Sequence, residues 1–176
     1  MASQYELDHT YMKMALAMAG LSNGVRSKVG AVAVTKNGVV LTGVNGLPKQ
    51  LGNKLEYEGY GFVNLDDLDQ NDENYNPKTH SYTIAIPQKI LTTKLETIHA
   101  EENVILKAAR EGVSLIDSTF YITLSTCVHC ASQLLSLGVK RVVYLNEYRI
   151  TTGIDILKQS GMIVDKLEFR MLEYNE

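Results

Sequence analysis

Residues 99–145, HAEENVILKAAREGVSLIDSTFYITLSTCVHCASQLLSLGVKRVVYL, decide the architecture. The stretch reads as a helix from about His99 to Glu111, stopped by Gly112, then a strand over Thr119–Leu124. A second helix follows from about Cys127 to Gly138, and Lys140–Leu145 reads as the next strand. Working outward, Thr152–Ser160 predicts a helix closed by Gly161, and Met162–Val164 a final short strand. Upstream, Asp8–Leu21 sets Met12, Leu16 and Ala19 at helical spacing, with Asn23-Gly24 as the stop. Val29–Val34 and Val39–Val44, joined by Lys36-Asn37-Gly38, read as an antiparallel hairpin, because Asn and Gly tolerate positive φ. Alternating strands and helices after a hairpin predict an α/β domain: a central mixed β-sheet in three α/β/α layers, since parallel strands need crossover helices.

Between the hairpin and His99 the pattern weakens. From Pro48 to about Leu95 there are tyrosines, glycines and an acidic stretch, Asp66–Glu73, with only Tyr82–Ile86 as a plausible strand. So long a connection in a compact domain predicts an inserted or lid-like segment at about 48–95 with partial order or a function of its own. The 176 residues, 45% of them hydrophobic, suit one domain spanning 1–176. A net charge of −3 argues against a protein built to hold a polyphosphate backbone, so nucleic acid is not the expected partner. No apolar run approaches the roughly 20 residues that cross a bilayer. The opening MASQYELDHT lacks the regions of a signal peptide, so a cytoplasmic location and no membrane are expected.

Cys127 and Cys130 are the chain's two cysteines. That is too few for a disulfide scaffold and, in a reducing compartment, points to metal or redox chemistry. His99-Ala100-Glu101 opens one predicted helix and Cys127-Val128-His129-Cys130 the other. One imidazole (His99) and two thiolates (Cys127, Cys130) would fill three positions around zinc and leave the fourth to water, as catalytic zinc sites do. Cysteines three apart at a helix start lie on one side, where the helix dipole favours thiolates. His99 and Glu101 are about 200° apart on an ideal helix, so at least one must belong to an irregular first turn if both face the metal. Zinc brings the pKa of its water toward about 7, and Glu101 is the carboxylate placed to carry that proton to a leaving nitrogen. H-x-E followed by P-C-x-x-C is the signature of zinc nucleobase deaminases. Thr126 stands in the proline's place and can start the helix as an N-cap instead. His9, His80 and His129 lack such support and read as surface or packing residues.

With these residues the chain resembles the cytidine and deoxycytidylate deaminase family. Arg26–Val32 (RSKVGAV), Gly43–Pro48 (GVNGLP), Leu137–Tyr144 (LGVKRVVY) and Tyr148 extend the likeness over about two thirds of the sequence. The resemblance implies a cytidine-deaminase-like fold and hydrolysis of dCMP to dUMP. It puts Asn45 and Gly46 near sugar and base, and Arg26, Lys28 and Tyr148 around sugar and phosphate. It also gives the Ala100 N–H to the pyrimidine carbonyl and the Ser125 carbonyl to the departing amino group. It further implies a homo-oligomer, such as a hexamer, activated by dCTP with Mg²⁺ and inhibited by dTTP. Arg110, one helical face along from Asn103 and Lys107, is the candidate for effector or subunit coupling. Some relatives carry a second, structural zinc with cysteine ligands; no cysteine remains for one, so one Zn²⁺ per subunit is expected. Other cytosine nucleotides, tRNA adenosine, a non-catalytic zinc module and a thiol oxidoreductase stay open as alternatives.

Overall fold

The computed structural model describes residues 2–60, 75–76, 81–82 and 89–168. The chain opens with helix α1 (Gln4–Ala19), followed by strands β1 (Gly30–Val34) and β2 (Val40–Val44). Next come β3 (Glu56–Tyr60), β4 (Tyr75–Asn76), β5 (Ser81–Tyr82) and β6 (Lys89–Thr93). The remainder alternates α2 (Ala100–Glu111), β7 (Thr119–Leu124), α3 (Val128–Ser136), β8 (Arg141–Asn146), α4 (Thr152–Gln159) and β9 (Ile163–Lys166). The main sheet has the order β2-β1-β7-β8-β9. β1 is antiparallel to both β2 and β7, while β7–β8 and β8–β9 are parallel and take α3 and α4 as their crossovers. The sheet is mixed, as expected.

Strand periodicity sorts the core into two faces. Ala31, Ala33, Phe120, Ile122 and Val142 point one way and pack with Ala100 and Val104 of α2, Ala131 and Leu134 of α3 and Leu157 of α4. Their neighbours Val32, Tyr121 and Val143 point the other way, onto Met12 and Ala15 of α1. Three layers result, with α1 the one helix on its side among the described residues. Its attachment is also ionic: Arg141 Nη1 and Nη2 donate to the two Asp8 oxygens at 2.7 and 2.8 Å, and Tyr121 OH donates to Asp8 Oδ1 at 2.9 Å. Burial alone would raise the Asp8 pKa, but hydrogen bonds from Arg141, Gln4 and Tyr121 outweigh it and hold the carboxyl below its ordinary value.

Several boundaries differ from the sequence expectation. Helix α1 starts at Gln4, not Asp8, because Ser3 and Glu6 form a capping box that admits another turn. The last strand runs Ile163–Lys166, shifted past Met162. Within 48–95, the strand expected at Tyr82–Ile86 is Ser81–Tyr82, paired with Tyr75–Asn76, while 83–86 lie outside the described residues. The expectation missed the ribbon in which β3 pairs antiparallel with β6, Glu56 opposite Thr93. An Ile98–Gly46 bridge then fastens the end of this segment to the loop after β2.

Candidate active site

Two close approaches set the site. α2 lies directly on β2 because residue 43 is glycine: a Cβ there would stand 2.1 Å from the Ala100 carbonyl oxygen. This brings the start of α2 to the edge of the sheet where β7 ends. His99 is the N-cap of α2 with extended backbone (φ −71°, ψ 160°), and Glu101 lies two residues on, inside the first turn. The irregular turn that the spacing demanded is therefore at His99. At the end of β7, Cys127 is the N-cap of α3 and Cys130 is in its first turn. α4 presses on this turn from behind, where a Cβ on Gly153 would be 2.2 Å from Thr126 O.

His99, Cys127 and Cys130 each offer a ligand atom, all within 4.8 Å of one another, the one such group among the described residues. His99 Nδ1 is 3.5 Å from each sulfur. Two ligands of a tetrahedral zinc, bound through N and S at ordinary lengths, stand about 3.6 Å apart. Donor set and spacing both fit zinc. The three donors share their protons unequally: the Cys130 thiol is pushed up, first by its hydrogen bond to Cys127 and then by burial. The Cys127 thiol is pulled down to about 3, first by the Cys130 thiol's hydrogen bond, then by His99 and by the Cys130 N–H, against the opposing effect of burial. His99 is raised, chiefly by its hydrogen bond to Cys127. His129 is exposed and pairs with Gln133, outside the triad. His9 is buried against Tyr5, and His80 lies outside the described residues.

Glu101 is 4% exposed, and burial raises its pKa, opposed by its own backbone N–H, the His99 charge and a hydrogen bond with the Thr126 side chain. It faces a cavity of about 130 Å³ lined also by His99, Ala100, Ser125, Cys127, Asn45, Arg26 and Tyr148. Asn45 bridges the turn before β1: Oδ1 accepts from Val29 N–H at 2.9 Å and Nδ2 donates to Ser27 O at 3.0 Å. One amide hydrogen remains for a ligand. The Ser125 hydroxyl accepts from the Tyr148 N–H at 2.7 Å, fixing the loop after β8 against the end of β7.

Seven sequence-derived site residues, Arg26, Asn45, Ala100, Glu101, Ser125, Cys127 and Tyr148, thus line one cavity with His99, while the third ligand, Cys130, is fully buried and does not line it. Lys28 and Gly46 do not line it; Lys28 is exposed, and Gly46 spends its N–H and carbonyl on Ile98. Arg110 is exposed at the far end of α2, paired with Glu111 at 3.0 Å. Asn103 and Lys107 donate to carbonyls of β2, Val44 and Thr42. The cavity also takes Leu55, Glu56, Thr93 and Thr97, which the sequence reading missed. Leu55, Glu56 and Thr93 belong to the segment whose weak periodicity gave no motif, and Thr97 lies just past its end.

The sequence pattern of the cytidine and deoxycytidylate deaminase zinc-binding region matches residues 5–146. The chain is 31% identical over 163 residues to the deoxycytidylate deaminase of Saccharomyces cerevisiae, covering 92% of this chain and 45% of the yeast protein. It is 32% identical over 168 residues to the deoxycytidylate deaminase of enterobacteria phage T4, covering 88% and 86%. Among solved structures it is similar to the dCMP deaminase of cyanophage S-TIM5 in complex with dCMP and dUMP, with a TM-score of 0.71 and 33% identity over 94% of this chain and 100% of that one. The chain therefore spans less than half of the yeast relative but most or all of these two phage ones. On the match to residues 5–146 and on the histidine, cysteine and glutamate geometry that it encloses, the chain belongs to the cytidine and deoxycytidylate deaminase family.

Proposed function

We propose that the protein hydrolyses dCMP to dUMP and ammonia. One observation carries the reading: a carboxylate buried beside a His-Cys-Cys group, both opening on a cavity with an arginine at its wall. His99, Cys127 and Cys130 would hold zinc, which when bound supplies Lewis acidity that makes water a nucleophile near neutral pH. Water adds to C4 of the cytosine, the C4–N bond breaks, and the amino group leaves as ammonia. Glu101 takes a proton from the water and returns it to the departing nitrogen, a role that its place on the cavity wall beside His99 allows. The Ala100 N–H, at the first turn of α2, donates to the pyrimidine carbonyl, and the Ser125 carbonyl accepts from the amino group. Asn45 donates to the sugar or base. Arg26 meets the phosphate, for which a guanidinium offers forked donors, with Tyr148 beside it. The S-TIM5 relative, crystallised with dCMP and dUMP, supports this choice of substrate.

Regulation by dCTP with Mg²⁺ and by dTTP, a homo-oligomer such as a hexamer, and coupling through Arg110 complete the reading and rest on the family resemblance. A cytoplasmic setting and a single domain over 1–176 belong to it as well. Among the described residues, no helix is long and apolar enough to cross a membrane. The test is ultraviolet-monitored deamination of dCMP, dCTP, CMP and deoxycytidine by zinc-loaded protein, each with and without added dCTP and Mg²⁺. Preference for dCMP, rising with dCTP, is expected. Turnover of none of the four overturns the proposal and directs the search to purine bases and RNA.

A further inference from the structure

Glu56 is 4% exposed, in a ribbon that the sequence presented as an insertion. Burying a carboxylate is costly unless its hydrogen bonds are supplied. Glu56 Oε1 accepts from two successive backbone N–H groups, Val25 at 2.9 Å and Arg26 at 3.2 Å. Its cross-strand partner on β6 is Thr93, and Thr93 Oγ1 accepts from Arg26 Nη1 at 3.3 Å. One register pair therefore grips Arg26 twice, Glu56 by the main chain and Thr93 by the guanidinium. A leucine at position 56 would suit a buried site better on hydrophobic grounds, so the carboxylate points to a geometric role.

The grip is referenced to the metal ligands. Leu55, 1% exposed, seats the ribbon and accepts from the Lys94 N–H at 2.8 Å. From Thr93 the chain turns through a Thr97 N–H bond to Lys94 O, exchanges two hydrogen bonds between Ile98 and Gly46, and arrives at His99. Glu56, Thr93, Thr97 and Arg26 line the same cavity as His99 and Glu101.

We propose that the β3–β6 ribbon is a clamp that aims Arg26 into the cavity, with Glu56 and Thr93 as positioning residues for recognition of an anionic group on the substrate. The proposal rests on the assignment of Arg26 to the phosphate of dCMP. Part of the 48–95 segment thereby holds the phosphate-recognising arginine at a fixed distance from the reacting carbon.

The experiment is a double-mutant cycle on KM for dCMP, using the zinc-loaded full chain. Arg26→Ala and Glu56→Ala are each expected to raise KM roughly 10- to 100-fold, the range for losing hydrogen bonds that involve a charged group. Because Glu56 acts through Arg26, the double variant should be no worse than the more affected single variant. Glu56→Gln keeps an oxygen for the two N–H groups and should stay within about threefold of the parent chain. Thr93→Val, which removes only the guanidinium's acceptor, should raise KM and add nothing to Arg26→Ala. It also carries the cycle if Glu56→Ala does not fold. Independent, multiplying effects overturn the clamp while leaving Arg26 as a phosphate contact. An unchanged KM in Arg26→Ala overturns that contact and the clamp together, and absence of dCMP turnover in the parent chain overturns the proposed function itself.

Discussion

Gly153→Ala tests whether α4 sets the metal site. The added methyl carbon would lie 2.2 Å from Thr126 O, 2.8 Å from Cys127 C and 2.9 Å from Cys127 O, all backbone atoms. Ordinary contact begins near 3.4 Å, so the Thr126–Cys127 peptide or the start of α4 must move by about 1 Å, an overpacking that costs about 1–3 kcal/mol. Cys127 is at once the N-cap of α3 and a proposed zinc ligand. Metal–ligand distances tolerate only about 0.2 Å. If the strain falls on Cys127, zinc affinity drops by roughly 5- to 150-fold. Alanine is the better helix former by about 1 kcal/mol, so intrinsic propensity works against the expected loss and cannot produce it. Competition with a chromophoric chelator reads the affinity, with far-ultraviolet circular dichroism as the check on folding. A folded variant whose chelator midpoint matches the parent chain within about twofold would refute the reasoning.

Further outcomes are expected. Glu101→Gln should bind zinc as the parent chain does while turnover falls by about 10²- to 10⁴-fold, the span of a lost general acid–base; near-normal turnover would remove Glu101 from the proton path. Chelation should abolish activity and lower the melting temperature, and zinc should restore both, whereas His99→Ala should show no such recovery. The Asp8–Arg141 pair titrates with a defined sign. The folded pKa of Asp8 is depressed, so its contribution is complete above the unfolded value, near 3.8, and is lost as pH falls through the lower folded value. The gap in urea midpoint between the parent chain and Asp8→Asn should therefore narrow as the pH falls below about 4. A gap independent of pH would contradict this.

The parts legible in the sequence are those whose physics is local. Thr119–Leu124 and the two strands of the hairpin announce themselves by composition and turn chemistry, and the ends of α2, α3 and α4 by Gly112, Gly138 and Gly161, whereas α1 ends at Ala19 with Gly20 as its cap, ahead of the expected Asn23-Gly24 stop. The metal group was legible because its three donors sit at helix starts, where spacing constrains direction. Two kinds of feature were not. The capping box of Ser3 and Glu6 lengthens α1 by a turn, yet it is a short polar pattern ahead of the apolar periodicity that located the helix. The role of Glu56 depends on a partner strand more than thirty residues away and on backbone groups of a loop before β1, so nothing near Glu56 marks it. Asn45 shows the intermediate case: the Asn-Gly loop was visible, but that its side chain braces the 27–29 turn was not.

The pairing of β1 with β7 joins Ala31 to Ile122. Closing so long a span is an entropic demand that grows only with the logarithm of its length, about 0.6 kcal/mol for each doubling. The connection between the hairpin and α2 can therefore lengthen or shorten from one relative to another with little effect on the stability of the five-stranded sheet. What such variation must preserve is the narrow neck of that excursion, β3 against β6, since this is where the detour returns to the cavity. The same arithmetic makes the sheet slow to assemble, because its central antiparallel contact is among its most remote in sequence. Hydrogen exchange during refolding should find protection in the β7–α3–β8 unit before it appears in β1.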